Sequence, residues 1–394
     1  MKKYVTIAAL TLLTIILVLG LAYKEPIQLM YHSIKAFDEE NLAQSFQTMY
    51  EIQPSTKISK GEKVSEFEYE LAPMVDSFRF RGEALDTKQF LQETKTSGIL
   101  VIADNKIAYE EYLLGSDENT RFSSNSICKS FTSALVGIAI HDGFIDSVED
   151  SIAKYIPEFA NTEMDKITIK DCLQMSSGID FDETTDMSKI SMTSMFGKSK
   201  MKSIVQYGLL HEPGTNRTYS SINTDILGEI VANATGYTLS EYMKEKLWSK
   251  IGVEQDAYWT LSNGKELANG GLHISLRDYA RFARLYMNDG VFEGEQIIPS
   301  QWIKDSMLTN QPHLKAPLDG KPYDEFGYGY QWWIPEGNEQ EFMAIGVFGQ
   351  WIYINPVKEV IIVKTSADSA FEDDDKEKKT VAFFREITAA VSEG

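Results

Sequence analysis

Hydrophobic and polar positions follow two rhythms along this 394-residue chain, and each rhythm predicts a different element. Gly98–Ala103 and Lys106–Leu113 are short apolar runs rich in β-branched residues, and Asp104-Asn105 between them suits a tight hairpin turn. Phe131 to Ile140 is apolar with few helix breakers, which predicts a helix ending at Asp142-Gly143. From Asp146 to about Asp319, helices and loops dominate. Ile169–Met175 reads as a short helix stopped by Ser176-Ser177-Gly178, and Asn223–Ala232 as another. Ser275–Met287 has the clearest amphipathic spacing. Strands return at Gly329–Ile334, Gln350–Ile354 and Glu359–Lys364, and a helix over Lys378–Val391 closes the chain. A hairpin, a helical insertion, late strands and a terminal helix predict an α+β fold. Its antiparallel sheet, built from 96–145 and 321–394, is flanked by helices and carries a mostly helical second domain over 146–320. Residues 24–95, mixed and polar, read as an extended lead-in packed on this body.

The first 23 residues break the pattern. Lys2-Lys3 precedes an apolar run from about Tyr4 to Ala22, long for a cleaved signal core and close to the roughly 20 residues that span a bilayer. The expectation is an exported protein, either cleaved near Gly20 and Ala22 or attached to the membrane by this segment, with the body on the outer face. No cysteine follows the segment to carry a lipid.

Charge and composition narrow the chemistry. A formal charge of -20 argues against gripping nucleic-acid phosphates or an anionic lipid surface. The acidic run Glu372–Asp375 reads as a solvated loop or helix start, since no spaced partner accompanies it. Two cysteines, Cys128 and Cys172, make no disulfide framework, and Cys128 faces away from the polar pair beside it. Five histidines show no zinc-ligand spacing, so neither a metal nor another cofactor is expected.

Ser126-Ile127-Cys128-Lys129 carries the strongest chemical signal. Positions i and i+3 share a helix face, so the Lys129 amine reaches the Ser126 hydroxyl. A serine is a weak nucleophile until a neighbouring base takes its proton, and a partly dehydrated lysine can be that base. Alone, the motif is as easily a helix cap beside a solvated lysine. Tyr219, on a loop leading into the Asn223 helix, is the candidate to relay a proton to a leaving group; the plain alternative is a packing tyrosine. Ser221 is a candidate contact for substrate or lysine. In Ala344–Gln350, Gly346 lets backbone approach a ligand closely. The N–H groups of Ser126 and Val347 are then the candidate oxyanion hole, unless the segment is simply a hairpin or bulge. Gly346 and Phe348 are further substrate-contact candidates. Tyr328, Tyr330, Trp332 and Trp333 line a pocket or fill core.

With these residues in view, the sequence resembles the serine β-lactamase and penicillin-binding-protein superfamily. The likeness is to the branch holding class C enzymes, D-alanyl-D-alanine carboxypeptidases and lactamase-fold esterases, and most of all to 6-aminohexanoate-dimer hydrolases. Ser126–Lys129 matches the family's S-x-x-K, and Tyr219–Ser221 its Y-x-N or Y-x-S. The runs Ser130–Gly137, Tyr219–Gly228 and Gly270–Ala280 also look like the family, over roughly 95–390. The resemblance implies acyl transfer on a small ester, amide or short peptide-like substrate within residues 96–391. One departure stands out: where many members carry K-T-G, this chain has Ala344-Ile345-Gly346. Loss of that cation removes an anchor for a substrate carboxylate and favours an amidase or esterase over a β-lactamase or carboxypeptidase. Lys364-Thr365-Ser366 imitates K-T-G one hairpin further on. An inactive ligand-binding or sensor domain of the same fold is the remaining alternative.

Overall fold

The computed structural model describes residues 24–316, 326–337, 339–373 and 375–392. Eight strands form the main sheet: β1 (Glu68–Tyr69), β2 (Thr96–Ala103), β3 (Lys106–Tyr112), β4 (Gly327–Tyr328), β5 (Trp333–Ile334), β6 (Phe342–Gly346), β7 (Gln350–Asn355) and β8 (Val360–Ser366). Their order is β4-β5-β6-β7-β8-β2-β3-β1, antiparallel throughout except for β1 beside β3. The turn between β2 and β3 is the expected one: Asp104 and Asn105 both take positive φ, +46° and +63°, as a two-residue hairpin with the right twist requires.

Both faces of the sheet are covered, which explains why β2 reads as an unbroken apolar run rather than an alternating one. Ile99 and Val101 enter a core with Phe78, Phe90, Phe383 and Phe384, under the helices Thr87–Glu93 and Lys376–Ser392. Leu100 and Ile102 point the other way, into the larger core with Phe131, Tyr279 and Phe282. There the helices Cys128–His141, Ile222–Thr235 and Leu276–Met287 pack together. An α+β fold with antiparallel sheets flanked by helices is the result.

Three expectations change. The lead-in is not extended: it holds the helices Lys24–Ala36 and Leu42–Ile52, the hairpin Ser77–Phe80 with Glu83–Asp86, and a strand, Ser55–Ile58, paired with Ala257–Ser262. The polar face of Leu276–Met287 is not solvated, because the lead-in crosses it. Arg281 is buried with its guanidinium on Asp278, Glu254 and the Ser65 carbonyl, and Arg284 bonds Ser65 Oγ. Gly329–Ile334 is not one strand but the tip of the β4–β5 hairpin. Gln331 turns at φ +65°, and its side chain donates to the Cys172 and Leu173 carbonyls and accepts from Thr224. Those tertiary bonds outweigh the local strand preference.

The expected membrane attachment is also corrected. Among the described residues no helix is long and apolar enough to cross a membrane. The segment that prompted the expectation, residues 1–23, lies outside the described residues.

Candidate active site

Strand Arg121–Ser123 pairs with Leu272–Ser275 and delivers the chain to a single 3-10 turn, Asn125–Ile127, that opens the helix Cys128–His141. Ser126 sits in that turn, half-buried. Asn125 adopts φ +44°, a conformation asparagine tolerates better than most residues, and its side-chain amide donates to the Val347 carbonyl at 3.0 Å. The helix behind is sunk in the core. Ser130, Thr132 and Ser133 send their hydroxyls to the carbonyls of Gln331, Ala268 and Tyr330, so this helix start is fixed to two segments distant in sequence.

Lys129 is 2% exposed. Its Nζ donates to Ser126 Oγ at 2.9 Å and to the Asn269 carbonyl at 3.0 Å. Among the described residues, no carboxylate lies within ion-pair distance of it. The same Nζ lies 5.1 Å from the centroid of the Tyr219 ring. Tyr219 stacks on Trp333 at 5.6 Å and meets Tyr328 edge-on at 6.4 Å. Its loop is held by Met175, whose carbonyl accepts from the Thr218 amide.

The glycine turn arrives from the sheet. A Cβ on Gly346 would stand 3.1 Å from Ser126 N and 2.8 Å from Ser124 O, so only glycine lets β6 end this close to the serine. Val347 follows in the turn to β7 and is 37% exposed. Among the described residues neither the Ser126 amide nor the Val347 amide has a protein acceptor, and Gly346 seats its turn against the Ser126 amide.

Other expected residues are engaged elsewhere. Ser221 stands at the start of the helix Ile222–Thr235 without a side-chain cap bond, and both its hydroxyl and its amide donate to the Glu183 carboxylate, the amide at 2.7 Å. The Phe348 ring packs against Phe37, Phe46 and Phe371. Tyr328, Tyr330 and Trp332 are buried core, while Trp333 floors the Tyr219 ring. Cys128 is buried, its thiol pushed up to about 12 by burial, which leaves it inert. Lys364 is buried too; its Nζ donates to Ser366 Oγ at 2.6 Å, and burial brings it down to about 7. Among the described residues no group of His, Cys, Asp or Glu is arranged to hold a metal.

Sequence reasoning missed a network behind the lysine. Asn269 Nδ2 donates to Asp225 at 2.9 Å, and Lys200 pairs with the same carboxylate at 2.9 Å. Asn269 immediately precedes Gly270-Gly271, a signal of close backbone packing that was there to use. Glu183 had no local signal at all; only the fold brings it to Ser221.

Sheet, helices and serine–lysine turn together define a serine-hydrolase superfamily of β-lactamase-like proteins. A family model described as Beta-lactamase matches residues 87–385, and the chain belongs to that family. It is 28% identical to the 6-aminohexanoate-dimer hydrolase of Paenarthrobacter ureafaciens over 82% of this chain and 84% of that protein. A Bacillus anthracis structure, provisionally described as a 6-aminohexanoate-dimer hydrolase, superposes with a TM-score of 0.82 at 25% identity, covering 91% of this chain and 96% of that one. A class C β-lactamase shares the fold at TM-score 0.56 and 17% identity, over 78% of this chain and 94% of the other.

Proposed function

We propose that the protein is a serine hydrolase that works through an acyl-enzyme on a small amide or ester. The observation that carries this reading is the 2.9 Å hydrogen bond from a buried Lys129 to Ser126 Oγ, with the Tyr219 ring against the same amine. In the proposed first step Ser126 Oγ bonds to the substrate carbonyl carbon while its proton passes to Lys129 Nζ. The carbonyl oxygen becomes the oxyanion and takes hydrogen bonds from the Ser126 and Val347 amides. Collapse breaks the bond to the leaving group, which receives a proton through the Tyr219 hydroxyl. Water then adds to the acyl carbon, gives up a proton to the same basic groups, and releases the acid as Ser126 regains its hydrogen.

Amide or ester is favoured over a β-lactam or D-alanyl peptide because the K-T-G position holds Ala344, Ile345 and Gly346, while Lys364 is sealed in the core on its own serine. The 6-aminohexanoate-dimer hydrolase likeness points the same way, toward linear amides. A fluorophosphonate probe is expected to label wild-type protein and not Ser126→Ala. A panel of p-nitrophenyl esters, short linear amides and nitrocefin then divides the classes. Turnover of nitrocefin alone would overturn the amidase or esterase reading, and no labelling would reduce the protein to a binder.

A further inference from the structure

The turn that presents Val347 is gripped from outside the family's own segment. Phe348, next in the chain, holds φ +64°, a left-handed conformation that costs a phenylalanine on the order of 1 kcal/mol and persists only where surroundings impose it. Those surroundings are aromatic. Its ring lies 5.0 Å from Phe46, 5.8 Å from Phe37 and 5.0 Å from Phe371. Phe46 belongs to the helix Leu42–Ile52 and Phe37 to the link before it, both ahead of residue 87 where the family match begins. Phe46 is buried with Leu42 and Ala367 in a small separate core that Phe348 completes. The helix itself is braced on the strand Ala257–Ser262, where Tyr50 stacks on Tyr258 at 4.5 Å.

The rest of the turn is tied down by polar bonds. The Phe348 carbonyl accepts from the Asp368 amide at 3.1 Å and from Gln350 Nε2 at 3.3 Å, and the Val347 carbonyl accepts from Asn125. These bonds fix carbonyls. The Val347 N–H lies in the Gly346–Val347 peptide, so its direction follows from how the whole turn is held, and the Phe348 ring in its aromatic seat is part of that hold.

We infer that Phe348 is a positioning residue for the oxyanion hole and that the N-terminal helix, through Phe46, is the clamp that holds it. The inference rests on the acyl-transfer reading above. Without the clamp, Phe348 relaxes toward ordinary φ and the Val347 amide swings off the line to the developing oxyanion. Ground-state binding is largely untouched, because the amide acts on charge that develops in the transition state.

The test is steady-state kinetics on whichever p-nitrophenyl ester or linear amide the wild-type protein turns over. Phe46→Ala and Phe348→Ala are each expected to lower kcat about 10- to 100-fold, part of the loss that removing one oxyanion donor causes. KM should stay within about 2-fold, fluorophosphonate labelling of Ser126 should slow in parallel with kcat, and Phe46→Leu should recover most of the loss. Phe37→Ala, at a half-exposed site, gives a smaller decrease and serves if the others fail to fold. Unchanged kcat in the folded variants overturns the clamp and leaves the serine hydrolase standing. So does a fall that appears only as raised KM. Absence of Ser126 labelling in the unaltered protein overturns both readings.

Discussion

Among the described residues two buried lysines donate to a serine hydroxyl, and the two pairs differ in what surrounds the serine. Lys129 donates to Ser126 at 2.9 Å and Lys364 donates to Ser366 at 2.6 Å, with both lysines almost fully buried. Ser126 is half-buried, the Tyr219 ring lies against its lysine, and among the described residues neither its own amide nor that of Val347 has a protein acceptor. Ser366 is 1% exposed and its amide is tied to Gln350, while Lys364, Asp368, Lys376 and Glu377 line a cavity of about 20 Å³, room for one water. A lysine on a serine makes a nucleophile only where a carbonyl can reach the oxygen and its charge can be received. The second pair is a structural element beneath the turn that the first pair uses.

Substitutions sharpen this contrast in descending order of effect. Ser126→Ala is expected to lower kcat by about 10⁴-fold or more, whereas Ser366→Ala should leave it within about 3-fold, both read on the preferred ester or amide. Equal losses from the two would erase the distinction. Lys129→Met should cost about 10²- to 10⁴-fold in kcat and Tyr219→Phe about 10- to 100-fold, as expected for a lost base and a lost proton relay. Retention of full activity by Lys129→Met would sink the proposed base.

Lys364→Met should act on stability instead. Burial brings Lys364 from the ordinary 10.5 down to about 7, so the folded chain binds the proton less tightly than the unfolded chain. Below pH 7 both states carry it and the buried charge exerts its full penalty. Between about pH 7 and pH 10 the unfolded state holds the extra proton, so wild-type stability rises by up to about 1.4 kcal/mol per pH unit from this group. Urea unfolding across that range should show the rise in wild type and a flatter profile in Lys364→Met; identical slopes would mean Lys364 titrates as if in solvent. The smallest effect expected is Glu183→Gln, which weakens the hydrogen bonds that Glu183 accepts from Ser221 by about 1–2 kcal/mol, measurable as a lowered urea midpoint.

Much of the candidate site was legible because its geometry is local. Ser126 and Lys129 are one turn apart, and any helix start there brings them together. The Asp104-Asn105 turn and the fully apolar β2 were legible for the same reason, since turn chemistry and two-sided burial are written in consecutive residues. Tyr219 could be named as a candidate, but nothing near it in the chain measures its distance to Lys129. Ser221 and Phe348 were placed correctly along the chain and misjudged in orientation, because Glu183 and Phe46, which claim them, are far away in sequence. The amphipathic helix Leu276–Met287 was recognised as a helix, yet its charged face proved to be core once the lead-in crossed it.

What the chain determined by itself was many of the elements after residue 95, the α+β class and the pairing of one hydroxyl with one amine, all products of spacing within a few residues. Only tertiary structure decided which of two serine–lysine pairs keeps a half-buried serine, which amides remain without a protein acceptor, and that an N-terminal helix reaches the glycine turn. Burial and access depend on what packs over a residue, and nothing near it in sequence records that.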